Sequence, residues 1–230
     1  MVASPGGNPP GPRPGRRSGE DAVYETIRSS VDAEIEISRS RFLTRLERVT
    51  TEEDARAVIA RVRAEHPRAR HHCSAFVLGP EGRIQRSNDD GEPSGTAGAP
   101  MLDALTSAGL HDVVAVVTRY FGGVLLGAGG LTRAYRSSVA DAVHRAQRVQ
   151  RAMRHDVTVH CSYDVAAQIE AEARRRGYGI GAADYTDRVA QHLSVAESEL
   201  VPLAGLVAEL SAGAAEFERG PAGYVDLPGA

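Results

Sequence analysis

The chain has 230 residues, 42% hydrophobic and 25% charged, with a formal net charge of −3, a globular balance. No apolar run reaches the ~18 residues a membrane span requires, so no membrane partner is expected. All 27 basic residues are arginine, which excludes a Walker A lysine, a Schiff-base lysine and a Ser-Lys dyad.

In chain order, residues 1–19 carry three arginines, no acid, and more Pro and Gly than all other residues together. Such a segment buries too little apolar surface to order itself and lacks the apolar stretch of a secretory signal, so it reads as a disordered tail. Residues 20–148 balance seventeen arginines against eighteen acids and read as a first domain. Residues 34–48 hold the alternating pairs Ile35/Ile37 and Phe42/Leu46, the pattern of a β-hairpin. The run "TTEEDARAVIARVRAEHP" predicts a helix, with a capping box from Thr50 and Glu53 or from Thr51 and Asp54. Its apolar stripe is Ala55, Val58, Ile59 and Val62, and Pro67 ends it.

A strand "HHCSAFVLG" follows, turning at Gly79-Pro80 into "RIQRS". Thr96 is the expected N-cap of the next helix, with Pro100 in its first turn, Met101, Ala104, Leu105 and Ala108 facing the core, and Gly109 ending it. "DVVAVVTRY" is an apolar run rich in β-branched residues and predicts a buried strand. A long helix is expected from Leu131, with Ala128, Leu131, Tyr135, Val139, Ala142 and Ala146 on one face.

Residues 149–230 form a second unit with seven arginines against twelve acids, a poor surface for gripping phosphates. The segments "AMRHDVTVHC", "DVAAQIEAEARRRG" (Asp164 as cap, Gly177 as stop), two strands in "YGIGAADYTDRVAQHLSV", "PLAGLVAELSAG" and "AAEFERG" run β-α-β-β-α-β. This is the order of the ferredoxin-like split unit. The two units read as separate cores joined near residues 148–153.

Two stretches carry candidate chemistry. "SNDDGEPSGTAGAP" gathers Asp89, Asp90 and Glu92 around Gly91 and runs through Ser94 and Thr96. Three carboxylates suit a hard cation or a ligand, but Asp-Asp-Gly is also a turn former and Glu92-Pro93 an extended exit. "TRYFGGVLLGAGGLTRAY" places Arg119, Tyr120 and Phe121 ahead of Gly122, Gly123, Gly127, Gly129 and Gly130, with Arg133 beyond. Backbone amides freed by glycine can cradle a small anion, and the same glycines serve close packing of strand against helix. Cys73, in "HHCSAF", shares a strand face with His71 and reads as core packing. Cys73 and Cys161 lie in no CxxC context, so reduced thiols and a cytoplasmic setting are expected, without disulfide or zinc. No metal, cofactor or catalytic residue is assigned.

The blocks "HHCSAFVLG", "SNDDGEPSGTAGAPMLDAL" and "DVVAVVTRYFGGVLLGAGGLTRAY" resemble, in order, the signature blocks of the YigZ/IMPACT family; Arg119 to Gly127 is the most specific of them. The resemblance implies an α+β chain. Its first domain would adopt the ribosomal-protein-type α/β sandwich of elongation factor G domain IV, with helices on one face of a four-stranded sheet and a left-handed βαβ crossover. Its second domain would be ferredoxin-like. The implied function is a non-enzymatic binding module that modulates translation, with RNA, a ribosome or a translation-associated protein as partner. The alternative is a phosphate-binding hydrolase or phosphotransferase using the acid loop and the glycine turn. Asp89, Asp90, Glu92 and Arg119 are expected to meet on one patch, held more by glycine, proline and caps than by ion pairs.

Overall fold

The computed structural model describes residues 23–227; the expected tail, residues 1–19, lies outside them. The chain forms ten strands and five helices among the described residues: β1 Val23–Ile27, β2 Val31–Ile37, β3 Ser40–Arg48, α1 Glu52–Glu65, β4 His71–Leu78, β5 Ile84–Asn88, α2 Gly98–Ser107, β6 Val113–Tyr120, α3 Gly127–Arg145, β7 Arg148–Cys161, α4 Tyr163–Arg176, β8 Gly179–Tyr185, β9 Val189–Val195, α5 Leu200–Leu210 and β10 Glu216–Asp226.

The first sheet is antiparallel, in the order β2-β3-β6-β4-β5. Its centre is β6, whose unbroken buried run, mostly β-branched, supplies both faces. Val113, Ala115 and Val117 enter a core with α2 and α3, built on Met101, Leu105, Leu131, Tyr135 and Val139. Val114 and Val116 meet Ala55, Val58 and Val62 of α1 on the opposite face. Two expectations change here. The sheet has five strands because "RIQRS" pairs as β5, and helices cover both faces because α1 has its own apolar stripe.

The β2–β3 hairpin turns at Ser38 and Arg39, both with positive φ (49° and 64°), which sets strand twist correctly for a tight hairpin. Gly122 packs against that turn. A Cβ on Gly122 would lie 2.0 Å from the Arg39 carbonyl carbon, so only glycine fits.

The second sheet takes β7, β9 and β8 in that order, with β10 on the other edge of β7, all antiparallel. α4 and α5 cover one face, over Val157, Val159, Ile169, Leu193 and Leu203. No linker separates the two cores. β7 passes continuously through residues 148–153; its first part pairs with β1 and its last part with β9. β10 continues beyond "AAEFERG" to Asp226 and accompanies β7 from Cα partners Glu216–His160 to Asp226–Arg151. Tyr24 of β1 donates to buried Asp112 at 2.5 Å, and Asp226 meets both Arg48 and Arg151. The short run "VYETI" gives β1 no pattern of its own, since its partner strand is so remote in sequence.

Several local expectations also shift. α3 begins at Gly127 rather than Leu131, which leaves Ala128 exposed. The N-cap of α4 is Ser162, two residues before the expected Asp164, which lies in the first turn. Thr51 with Asp54 is the pair that caps α1, and Gly177 in the left-handed region ends α4.

Candidate functional site

The acid loop begins as β5 ends. Asp90 and Gly91 take positive φ (42° and 85°), and the Glu92 amide bonds the Asp89 carbonyl at 3.0 Å. A left-handed turn of this kind admits Asp and Gly with little steric cost. Each carboxylate then has a separate task. Asp89 accepts from the amides of Gly95 (2.8 Å), Ala97 (3.0 Å) and Gly98 (2.8 Å) and so caps α2. This replaces the expected Thr96 cap, because the Thr96 hydroxyl donates backwards to the Pro93 carbonyl at 2.6 Å. Burial pushes the Asp89 carboxyl up, but the three amides outweigh it and hold it below the usual range. Asp90 accepts from the Arg63 guanidinium at 2.7 Å and from the His72 amide at 2.6 Å. Burial opposes these bonds, and the carboxyl still ends below its ordinary value.

Glu92 alone turns into the protein. Its Oε1 accepts from Arg119 Nη1 and from the Tyr135 hydroxyl, both at 2.8 Å, with the Arg119 and Glu92 side chains only 7% and 4% exposed. Asp89 and Asp90 therefore do not pair with Arg119, and the loop is held by a buried ion pair as well as by turns and caps. Arg119 Nη2 also reaches the Ser40 hydroxyl, which accepts in addition from the Gly122 amide, both at 3.3 Å. The guanidinium lies between the rings of Phe42 (5.5 Å) and Phe121 (5.6 Å), a cation–π arrangement strengthened by exclusion of water. Arg119 Nε has no hydrogen-bond partner among the described residues. Cys73 donates to the Asp89 carbonyl at 3.0 Å, and burial pushes its thiol up to about 12, which leaves it protonated and unreactive. Tyr135 is likewise pushed up by burial.

Outside this layer, at the end of the sheet, opens a cleft of about 590 Å³ lined by Arg68, Ala69, Arg70, His71, Arg119, Tyr120, Phe121 and Leu125. One wall is the connection between α1 and β4. It is closed by the Ala69 amide on the His66 carbonyl and pinned by His72 Nε2 to that same carbonyl (3.2 Å) and by His66 Nδ1 to the Tyr120 hydroxyl (3.0 Å). The other wall is the glycine corner, where Phe121 is 54% and Leu125 88% exposed. Arg63, Arg83 and Arg86 are engaged by carboxylates. Arg68 and Arg70 are exposed and without an acidic partner among the described residues.

Of the residues expected to bind, Arg119, Tyr120 and Phe121 line the cleft, and Glu92 supports it from beneath. Gly122 joins the corner to the hairpin, and Gly123 turns with φ 85°. Ser94 and Thr96 stay with the α2 cap, and Gly127, Gly129, Gly130 and Arg133 lie along the first two turns of α3, away from the cleft lining. Outside the expected set were Arg68, Ala69, Arg70, His71 and Leu125 of the lining, and beneath it Ser40, which accepts from Arg119, and Tyr135, which donates to Glu92. Tyr135 was legible only as one more core position in a helical stripe. Among the described residues, no three His, Cys, Asp or Glu side chains gather closely enough to hold a metal ion, and no helix is long and apolar enough to cross a membrane. Both cysteines are buried and free.

Fold and site together define a two-domain α+β protein whose first domain carries an ion-paired acid loop beneath a basic, aromatic cleft. Residues 38–143 match the Impact N-terminal domain, and residues 159–214 match a domain of unknown function. The chain is 39% identical over 203 residues to the IMPACT family member YvyE of Bacillus subtilis, covering 88% of this chain and 94% of that one. It is 41% identical over 187 residues to the IMPACT family member YigZ of Escherichia coli, covering 80% and 88%. A solved structure described as "Crystal structure of an hypothetical protein" superposes with a TM-score of 0.60 at 35% identity, over 85% of this chain and 96% of that one. The chain belongs to the IMPACT family.

Proposed function

We propose that this protein is a non-enzymatic binding module that modulates translation by holding RNA, free or ribosomal, at the cleft between the α1–β4 connection and the glycine corner. The carrying observation is that Arg68 and Arg70, without an acidic partner among the described residues, share one recess with the exposed Phe121 and Leu125. Free guanidinium groups suit phosphates, and an exposed ring suits a base. The enzyme alternative needs a working carboxylate, and Asp89, Asp90 and Glu92 are each engaged by internal donors. A cytoplasmic site of action fits this reading. So does a ribosomal-protein-type first domain like elongation factor G domain IV, with its left-handed crossover. The strand order β8-β9-β7-β10 supports a ferredoxin-like second domain over residues 149–230.

A salt titration of single-stranded RNA binding tests the proposal. The affinity is expected to fall linearly on a log–log plot, and Arg68→Ala or Arg70→Ala each to flatten the slope by roughly 0.7. Retention of RNA that ignores salt, or no retention, removes it.

A further inference from the structure

The cleft differs from a plain basic patch in three respects. Phe121 has one ring face against the Arg119 guanidinium and remains half open to solvent. The guanidinium contact favours this placement of the ring, so a flat ligand meets its open face. Next, His71 is oriented. Its Nδ1 lies 2.9 Å from the Asp90 carbonyl oxygen, which can only accept, so Nδ1 carries the proton. In the neutral form of the ring this leaves Nε2 as the acceptor, and His71 lines the cleft. Finally, the unpartnered Arg119 Nε belongs to a side chain that lines the cleft and is more than nine-tenths buried.

We infer that the cleft is a pocket for a single nucleotide, its base stacked on Phe121, its ring N–H or exocyclic amine donating to His71 Nε2, and its phosphate neutralised by Arg68 and Arg70. The volume of about 590 Å³ lies in the range of pockets that hold one small ligand. The exposed Phe121 face, together with the Nε2 acceptor of neutral His71, selects the ligand class. An acidic peptide brings carboxylates, which accept and cannot donate to a neutral imidazole nitrogen; a nucleobase presents both donors and a π-face. The same chemistry reaches the pocket from an RNA strand or from a free mononucleotide. The inference rests on the RNA reading above and goes beyond it by requiring a base pocket.

The test uses the full chain with four probes: a mixed-sequence single-stranded RNA 10-mer, the four nucleoside monophosphates, inorganic phosphate, and a peptide of alternating Glu and Leu. Phe121→Ala is expected to weaken RNA and mononucleotide binding at least about tenfold, the loss of one stacked base, while leaving weak phosphate binding unchanged. Phe121→Tyr should retain affinity. His71→Gln should alter the ranking of the four mononucleotides more than the mean affinity. Thermal melts of each variant separate lost binding from lost folding. Tight RNA binding with no measurable mononucleotide binding, but the same Phe121→Ala loss, assigns the strand as the source and supports the pocket. RNA binding that falls in Arg68→Ala/Arg70→Ala but ignores Phe121→Ala overturns the pocket and leaves the RNA reading standing. Mononucleotide binding without RNA binding, lost in Phe121→Ala, supports the pocket and removes the RNA reading. Absence of both RNA and mononucleotide binding, or preference for the acidic peptide, overturns both.

Discussion

Two layers meet at the same end of the first sheet and treat charge in opposite ways. Beneath, Glu92, Arg119, Tyr135 and Ser40 form a closed set in which nearly every donor meets an acceptor and water is excluded. Above, Arg68 and Arg70 stand in solvent with no acidic partner among the described residues, beside Phe121 and Leu125. They are separated by little more than the Arg119 side chain. The difference teaches that the acid-rich motif is scaffold, whereas the cleft it holds in shape is the surface open to another molecule. A buried charge pair is a weak source of net stability, but removing one member leaves the other stranded. An exposed arginine adds little to folding and is free to meet a ligand.

The sharpest way to break this contrast is Glu92→Ala. It strands Arg119 and is expected to destabilise the chain by about 3–5 kcal/mol, read as a drop in denaturant midpoint. A change under about 1 kcal/mol would mean that the inner layer is not the closed network described. Asp89→Ala should cost less, about 1–2 kcal/mol, the range for losing a helix N-cap. Acid should mimic it in the parent chain. The folded carboxyls of Asp89 and Asp90 lie below their ordinary values. Their contribution is therefore complete above the unfolded value of about 3.9 and is lost as pH falls through the lower folded values. A stability–pH profile should show this step, diminished in Asp89→Ala; an identical step in both chains would deny Asp89 its part. At the small end, Arg68→Ala with Arg70→Ala should shift stability by no more than about 0.5 kcal/mol. A larger loss would place those arginines in the scaffold and erase the distinction between the layers.

The sequence displays these layers unevenly. The turn at Asp90-Gly91 is visible because few residues besides Asp, Asn and Gly accept its backbone. The buried strand β6 is visible because its apolar run, mostly β-branched, is unbroken from Val113 to Val117. Asp89 as the α2 cap is not visible. The contact spans nine residues to Gly98, and Thr96 sits closer and has the right chemistry. Only the reversed Thr96 hydroxyl bond frees the position. The Glu92–Arg119 pair joins residues 27 apart, and nothing local distinguishes Glu92 from its two acidic neighbours. Of the cleft, Arg68 and Arg70 show their charge in the sequence. Their position against Phe121 depends on the His66–Tyr120 and His72–His66 bonds, which cross between elements.

The splice between the cores has a consequence for how the chain is made. β1 finds its partners at residues 148–152, and β10 must lie along β7 before Asp226 can reach Arg48. Contacts so distant in sequence close slowly. During synthesis, residues 31–145 can assemble their sheet while the backbone of β1 waits for residues 148–152 of β7, even though Asp112 is already there for the Tyr24 and Thr26 hydroxyls. The first sheet therefore precedes the splice: β1 is placed only after β7 is made, and Arg48 meets Asp226 only after β10 is made.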